Sequence, residues 1–425
     1  MKTRPQRSSH AKQTVAILAL SALLRLLVLW TVVAHYPAKW LFSRGIEMGL
    51  LANSLITGHG LSSPFVGETG PTAFFGPGYP LLIAAVFRVF GSFSAASAVA
   101  IISLQILLNL ITVWLVMHLA RKLFDQRVAM IAGLFWACSP PLLWLPTIFW
   151  ESSVSICMVT GLLALALRCR EKPARALWIG IGMYCAVAVL FNPALIVTLT
   201  AIVCWLAWQT RRTQTTNLLL AVVCFAVVVA PWPIRNARVF HAFIPLRSNF
   251  GYELWMGNHP GASGYLEEFN FPTFNQTELD DYKRKGEIAY TADKGALVKQ
   301  SIRQNPGVFV RLSLRRVYRF WTGTGSQGGS SIFTLHACMT SALGLVGMCL
   351  LWRRRRDLFT LLALPMLLFP LPYYITHAEF RYRLVLDPVL TVLSAYALVS
   401  FSRSIVQESE DRTPQPIEAA QAIHG

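Results

Sequence analysis

Ten apolar runs divide the chain, separated by polar stretches of unequal length. Each run is long enough to cross, or nearly cross, a hydrocarbon core about 30 Å thick. The pattern therefore predicts about ten transmembrane helices, so the fold class is an all-α polytopic membrane protein. The runs are 14–34, 95–120, 128–145, 148–167, 176–191, 194–208, 218–231, 332–352, 358–375 and 384–401.

Composition excludes the soluble classes. Of 425 residues, 54% are hydrophobic and only 14% are charged, which is more apolar than the surface of a soluble protein tolerates. The net charge of +18 does not indicate nucleic-acid binding, because the basic residues sit in short clusters between apolar runs. All eight cysteines lie in or beside apolar runs without CxxC spacing, so we interpret them as buried hydrophobic residues.

The basic clusters also predict orientation. They lie at 2–12, 121–127, 168–175, 211–212 and 353–356, in every second loop. Because cytoplasmic loops carry the excess of Lys and Arg, both termini are predicted to be cytoplasmic. We expect a multi-pass protein of a bacterial cytoplasmic membrane, with its site on the extracytoplasmic side.

This orientation defines five regions of the chain. Residues 1–13 form a cytoplasmic N-terminus, and 14–234 contain the first seven helices. An extracytoplasmic insert follows at 235–331, the last three helices occupy 332–402, and 403–425 form a polar tail that is predicted to be disordered. The insert is long enough to roof a cleft.

The extracytoplasmic loop 35–94 is too long to be a simple connection. Apolar residues at helical spacing predict a surface helix over 43–57, which the glycines around His59 end. A second interfacial helix is expected at 80–90, which is too short to span. In the insert, the first third is turn-rich, and helices are predicted over 278–304 and 306–321.

Two acids on this side are candidates for chemistry. Glu47 lies near the start of the first surface helix, where apolar neighbours suit a general base. The alternative for Glu47 is an exposed acid on a polar helix face. Glu151 stands at the outer end of a span, where it either satisfies free amides at a helix start or faces the same cleft.

The outer loop 376–383 breaks the charge rule, because it carries Arg381 and Arg383. Guanidinium groups fork onto phosphate oxygens, so these residues predict an anionic ligand; the alternative is anchoring to lipid headgroups. His59 and His377 have no accompanying ligand spacing, so a divalent metal is only weakly supported and no cofactor is predicted.

Three segments resemble the GT-C class of membrane glycosyltransferases, in the protein-mannosyltransferase and lipid A aminoarabinose transferase superfamily (glycosyltransferase family 39-like). They are ANSLITGHG at 52–60, PGYPLL at 77–82 and RYRLVLDP at 381–388, and the resemblance extends over 14–401. The usual Asp-Glu pair of that family aligns with Arg44 and Gly45, while Gly45-Ile46-Glu47 resembles the Gly-x-Glu pattern of bacterial relatives.

The resemblance implies a GT-C-like fold and inverting transfer of a hexosyl or pentosyl group. The donor would be a polyprenyl-phosphate-linked sugar, and the acceptor a protein, lipid or glycan. Glu47 would be the base, and Arg381 and Arg383 would hold the lipid phosphate. Further substrate contacts are expected from Glu151, His59, Tyr79, His377, Glu379 and Tyr382.

Two other functions remain open. A flippase or transporter of a lipid-linked saccharide explains the helices and arginines. Transporters tend to have repeated halves, however, and no internal repeat is visible in this sequence. An oligosaccharide ligase or polymerase is chemically close. The transferase hypothesis requires that Glu47, Arg381 and preferably Glu151 meet in one outward cleft under the insert.

Overall fold

The computed structural model describes residues 4–210, 215–264, 266–324 and 331–412. Within these ranges the chain forms α-helices joined by loops and short 3-10 turns, and its extended structure is one isolated bridge between Ser62 and Pro71. The helices are α1 Arg4–His35, α2 Ala38–Ser43, α3 Ile46–Ile56, α4 Gly78–Phe90, α5 Ala95–Leu123, α6 Gln126–Cys138, α7 Pro140–Trp144, α8 Ser152–Glu171, α9 Arg175–Phe191, α10 Ile196–Thr210, α11 Thr215–Val229, α12 Pro231–Phe240, α13 Phe250–Asn258, α14 Gln276–Lys285, α15 Glu287–Gln304, α16 Pro306–Thr322, α17 Ser331–Arg354, α18 Arg356–Leu368, α19 Leu371–Ile375, α20 Phe380–Arg383 and α21 Asp387–Arg412.

The all-α polytopic fold is confirmed. Among the described residues, eight helical segments are long and apolar enough to cross a membrane, and a bent pair makes a ninth if it is one span. The remaining predicted run, 176–191, corresponds to α9, which is apolar but has only 17 residues. The last helix continues to Arg412, into the segment predicted as a disordered tail, and 413–425 lie outside the described residues.

The bent pair consists of α6 and the segment Pro140–Thr147, which meet at 57°. Two consecutive prolines at the break cannot donate backbone hydrogen bonds, and polar side chains of α1 and α5 compensate for the lost helix. Arg25 donates to the carbonyl of Ala137 at 3.2 Å, and Gln105 donates to those of Pro146 and Ile148 at 3.1 and 3.0 Å. These hydrogen bonds fix the backbone between the break and Glu151, which immediately precedes α8.

The described residues form two large hydrophobic cores and a small cluster around Trp232. The first lies among the spans, and there small residues allow close approach of helices: a Cβ on Gly347 of α17 would lie 2.2 Å from the carbonyl oxygen of Leu393 on α21. The second joins the loop 35–94 to the insert through edge-to-face aromatic contacts, such as Phe65 with Tyr282 at 5.0 Å and Phe74 with Tyr252 at 5.3 Å between ring centres. The two polar regions thus form one roof.

Helices of the two polar regions follow their predictions closely. The surface helices over 43–57 and 80–90 correspond to α3 and α4, and the basic helix 306–321 corresponds to α16. The predicted helix 278–304 is divided at Gly286, which has φ +74°. The turn-rich first third of the insert also contains α13, and α12 continues the preceding span to Phe240.

A buried carboxylate fastens the roof. Glu287, at the start of α15, accepts hydrogen bonds from the Ala73 amide at 2.8 Å, Ser248 Oγ at 2.6 Å, Thr72 Oγ1 at 2.5 Å and the Tyr282 hydroxyl at 2.8 Å. Four donors satisfy a buried carboxylate fully, which offsets its desolvation. The glycine- and proline-rich end of the first loop is therefore held against the insert.

Candidate functional site

A cavity of about 940 Å³ lies between the roof and the ends of the spans next to it. Its walls come from the start of α3, the segment between α7 and α8, the start of α10, the insert and the segment between α19 and α21. Glu47, Glu151, His377, Glu379, Arg381 and Tyr382 all line it. The structure thus brings together six of the nine predicted site residues.

Gly45 explains how Glu47 and Glu151, which are far apart in sequence, line the same cavity. Its φ is +153°, and a Cβ at this position would lie 2.2 Å from the carbonyl oxygen of Phe149. The Phe149 amide also donates to the carbonyl of Arg44 at 3.1 Å. Only glycine permits this approach. The start of α3 therefore packs directly against the backbone at Phe149, two residues before Glu151.

Glu47 is held at the start of α3. Its side chain is 5% exposed, and Thr273 of the insert donates a hydrogen bond to its carboxylate at 2.7 Å. The first turn of a helix favours a negative charge, because free amides point toward it. The cavity acid is therefore fixed by both the loop and the insert.

Glu151 is 7% exposed and immediately precedes α8. Its side chain makes no capping hydrogen bond to the amides of that helix, although capping was one of the two roles expected of it. Burial, and next the charge of Glu151, raise the pKa of Tyr79 well above its usual range. Tyr79 itself is buried and does not belong to the cavity lining.

Arg381 is the cation opposite these acids. Its guanidinium bonds to the Glu379 carboxylate, lies 3.3 Å from the Tyr382 hydroxyl, and sits 4.4 Å from the centre of the Trp150 ring. Its buried Nη1 has no hydrogen-bond partner among the described residues. Arg381 therefore retains donor capacity for an anion in the cavity.

Arg383 does not line the cavity. Its side chain is completely buried between α17 and α21, where it bonds to Asp387 and donates to the carbonyl of Ala337 at 3.1 Å, Thr340 Oγ1 at 2.5 Å and Ser341 Oγ at 3.2 Å. Asp387 also accepts from His336 at 2.7 Å. These contacts join α17 to α21 and occupy both Nη atoms of Arg383, while its buried Nε has no hydrogen-bond partner among the described residues.

The remaining predicted residues separate into two groups. His377 lines the cavity, with Nδ1 3.3 Å from a Glu253 carboxylate oxygen and Nε2 3.1 Å from the Tyr382 hydroxyl. His59 is exposed and bonds to Thr57 at 3.0 Å, away from the cavity. Among the residues that the structure describes, no three His, Cys, Asp or Glu side chains are grouped to hold a metal ion.

Two cavity arginines were missed by the sequence reasoning. Arg44 donates to Thr147 Oγ1 at 2.7 Å and lies between the rings of Trp40 and Trp144, and burial lowers its pKa to about 10, so it stays charged at neutral pH. Arg247 lies 5.7 Å from the Phe75 ring. Neither stands out in sequence, because basic residues are frequent throughout the insert and around the spans.

A family model described as dolichyl-phosphate-mannose-protein mannosyltransferase matches residues 74–234. No curated protein is significantly similar to the chain in sequence. Among solved structures, the oligosaccharyltransferase AglB from Archaeoglobus fulgidus is similar in two states. The complex with an inhibitory peptide and a dolichol-phosphate has a TM-score of 0.57 and 17% identity, over 98% of this chain and 53% of AglB.

The apo form of the same oligosaccharyltransferase has a TM-score of 0.58 at 14% identity, over 98% of this chain and 54% of its own length. The chain thus spans about half the length of these relatives. ArnT from Cupriavidus metallidurans, bound to undecaprenyl phosphate, matches with a TM-score of 0.40 and 14% identity, over 94% of this chain and 80% of ArnT.

The family model and the two oligosaccharyltransferase structures define the class of the fold. The chain has the fold of GT-C membrane glycosyltransferases, and the resemblance inferred from its motifs is confirmed at that level. It is a glycosyltransferase-like, multi-pass membrane protein.

Proposed function

We propose that the chain transfers a sugar from a polyprenyl-phosphate-linked donor to an acceptor at the extracytoplasmic face of a bacterial cytoplasmic membrane. The observation that carries the proposal is that Glu47, Glu151 and Arg381 line one cavity under the insert. That convergence is what a transferase requires, since base, acceptor and departing phosphate must meet within one sugar's reach.

The lipid part of the donor has an apolar route to this cavity. Ile196 and Val197 at the start of α10, and Phe333 at the start of α17, belong to its lining, and 51% of Val197 is exposed on the side of a span. A polyprenyl chain can lie against such surfaces while its phosphate reaches Arg381. The unpartnered Nη1 of Arg381 supplies the hydrogen bond.

In the proposed reaction, Glu47 accepts the proton of an acceptor hydroxyl, and the oxygen attacks the anomeric carbon with inversion. The bond between that carbon and the phosphate oxygen breaks, and its electron pair leaves with the polyprenyl phosphate. Arg381 stabilises the charge that grows on the phosphate. In this proposal Glu151 orients the acceptor, and no step requires a nucleotide.

The test compares three carboxylate variants in membranes supplied with a polyprenyl-phosphate-linked sugar. Glu47→Gln keeps the shape but cannot take the proton, so transfer should fall by about 10²- to 10⁴-fold. Glu151→Gln should have a smaller effect. Glu68→Gln is the control, because Glu68 is an exposed acid of the same loop outside the cavity lining.

Undiminished transfer by the Glu47→Gln variant would eliminate Glu47 as the base. Transfer from a pyrophosphate-linked oligosaccharide alone would favour the ligase or polymerase. Movement of a lipid-linked saccharide across vesicles at equal rates in the wild type and the Glu47→Gln variant, without transfer, would favour the flippase.

A further inference from the structure

We propose that a groove between α5 and α8, whose lining shares no residue with the cavity, binds an anionic phospholipid. The groove has a volume of about 610 Å³ and takes its walls from these two helices, with Tyr184 of α9 at its base. It plays no part in the proposed transfer reaction.

The groove has the length of a lipid chain. One wall runs from Leu108 to Lys122 and the other from Val154 to Arg168, so each covers about 21 Å at the helical rise of about 1.5 Å per residue. This is roughly two thirds of the hydrocarbon core. An acyl chain of one leaflet fits this length, whereas a polyprenyl carrier is longer than the groove.

Small residues keep the groove open. A Cβ on Gly161 would lie 2.2 Å from the Tyr184 hydroxyl, so glycine at this position allows Tyr184 to reach across and donate to the carbonyl of Cys157 at 3.3 Å. Ala164 lines the groove one turn further on and is only half-buried. The resulting surface is apolar along the middle of the groove.

One end of the groove is basic. His118, Lys122 and Arg168 line it there, and Trp114, 47% exposed, stacks on His118 at 5.4 Å. Lys122 pairs with exposed Glu171 at 3.0 Å, but no acidic group among the described residues lies within 4 Å of Arg168. Basic residues beside an interfacial tryptophan are suited to a phosphate headgroup.

This basic end is distant from the cavity. Glu151 lines the cavity immediately before α8, and Arg168 lies 17 residues further along the chain, or about 25 Å along the helix. The basic end of the groove and the cavity therefore lie at opposite ends of α8. A lipid in the groove would stabilise the packing of α5, α8 and α9 without entering the cavity.

The test is native mass spectrometry of the full chain in detergent with added phosphatidylglycerol, or with phosphatidylcholine of the same acyl chains. The wild type should retain phosphatidylglycerol more tightly. In the K122Q/R168Q variant, affinity should fall about 10- to 30-fold, since each basic residue near a headgroup contributes on the order of 1 kcal/mol. Ala164→Trp, which fills the groove without changing charge, should also weaken binding.

The matched control is R353Q/R354Q, which removes two exposed basic residues at the end of α17, outside the groove, and should leave binding unchanged. Equal binding of the two lipids, or equal affinity in the K122Q/R168Q variant and the wild type, would overturn the proposal. If undecaprenyl phosphate displaces phosphatidylglycerol at lower concentrations, the proposal is also overturned. The ligand of the groove would then be the polyprenyl carrier and not a phospholipid.

Discussion

Arg381 and Arg383 are two residues apart, yet they belong to different parts of the molecule. Arg381 faces the cavity with one acid partner and an unpartnered Nη1, whereas the side chain of Arg383 is completely buried, paired with Asp387 and bonded to α17. On a helix, two residues correspond to a rotation of about 200°, so the side chains of residues two apart point in nearly opposite directions. Their separation teaches that a shared charge anomaly in sequence does not imply a shared role.

The buried carboxylates show the same contrast. Glu287 receives four hydrogen bonds that join the loop to the insert, while Glu47 is buried to a similar degree but lines the cavity. A charge whose hydrogen bonds are all made within the protein stabilises the fold. Glu47 also accepts a hydrogen bond from Thr273, and it differs from Glu287 in that it lines the cavity.

The largest expected effect concerns Arg383. Its replacement by Gln leaves the buried Asp387 without its main partner, so the free energy of unfolding should fall by about 3–5 kcal/mol. Thermal melting of the purified protein in detergent measures this. If the Arg383→Gln variant melts like the wild type but loses transfer, Arg383 acts on substrate and the contrast with Arg381 fails.

Arg381→Gln should lower the transfer rate about 10²- to 10³-fold, because it removes one donor to the departing phosphate, and should leave melting close to that of the wild type. Arg381→Lys should recover part of the rate, since it keeps the charge but not the fork. Arg311→Gln is the control on the exposed face of α16. Equal rates for Arg381→Gln and Arg311→Gln would exclude phosphate binding by Arg381.

Glu287→Gln should have the smallest of these effects, a loss of about 1–3 kcal/mol, because the amide turns a donor toward groups that also donate. Hydrogen exchange at Ala73, whose amide bonds to Glu287, should become faster in this variant. Glu68→Gln, in the exposed part of the same loop, should leave that exchange unchanged. Protection of Ala73 equal to that of the wild type would show that the roof does not depend on Glu287.

Much of the fold could be predicted because lipid imposes simple rules. Runs of apolar residues indicated the spans, and helical spacing indicated α3, α4 and α16. The helix α13 was missed, because its short aromatic sequence has turn residues at both ends. Its position depends on contacts from elsewhere: Arg316, buried on α16, donates to the carbonyl of Gly257 at 2.7 Å and to Asn258 Oδ1 at 2.9 Å.

For the candidate site, the residue types were the predictable part. Glu47, Glu151 and Arg381 were selected from sequence, and the structure places them around one cavity. Arg247 and Arg44 also line it, while His59 and Tyr79 do not. Helical spacing and charge bias do not distinguish these residues, because neither pattern contains information about contacts between loops that are distant in sequence.

The sequence by itself determined a chain of apolar helices with a polar roof on one side. The reason is that the cost of burying polar backbone or charge in lipid depends on each residue's own chemistry and does not require knowledge of its tertiary contacts. Only the tertiary structure decided which charges share a cavity. That choice depends on long-range contacts, above all the approach of Gly45 to Phe149 and the bond of Thr273 to Glu47. Such contacts join residues more than a hundred positions apart, so no local pattern records them.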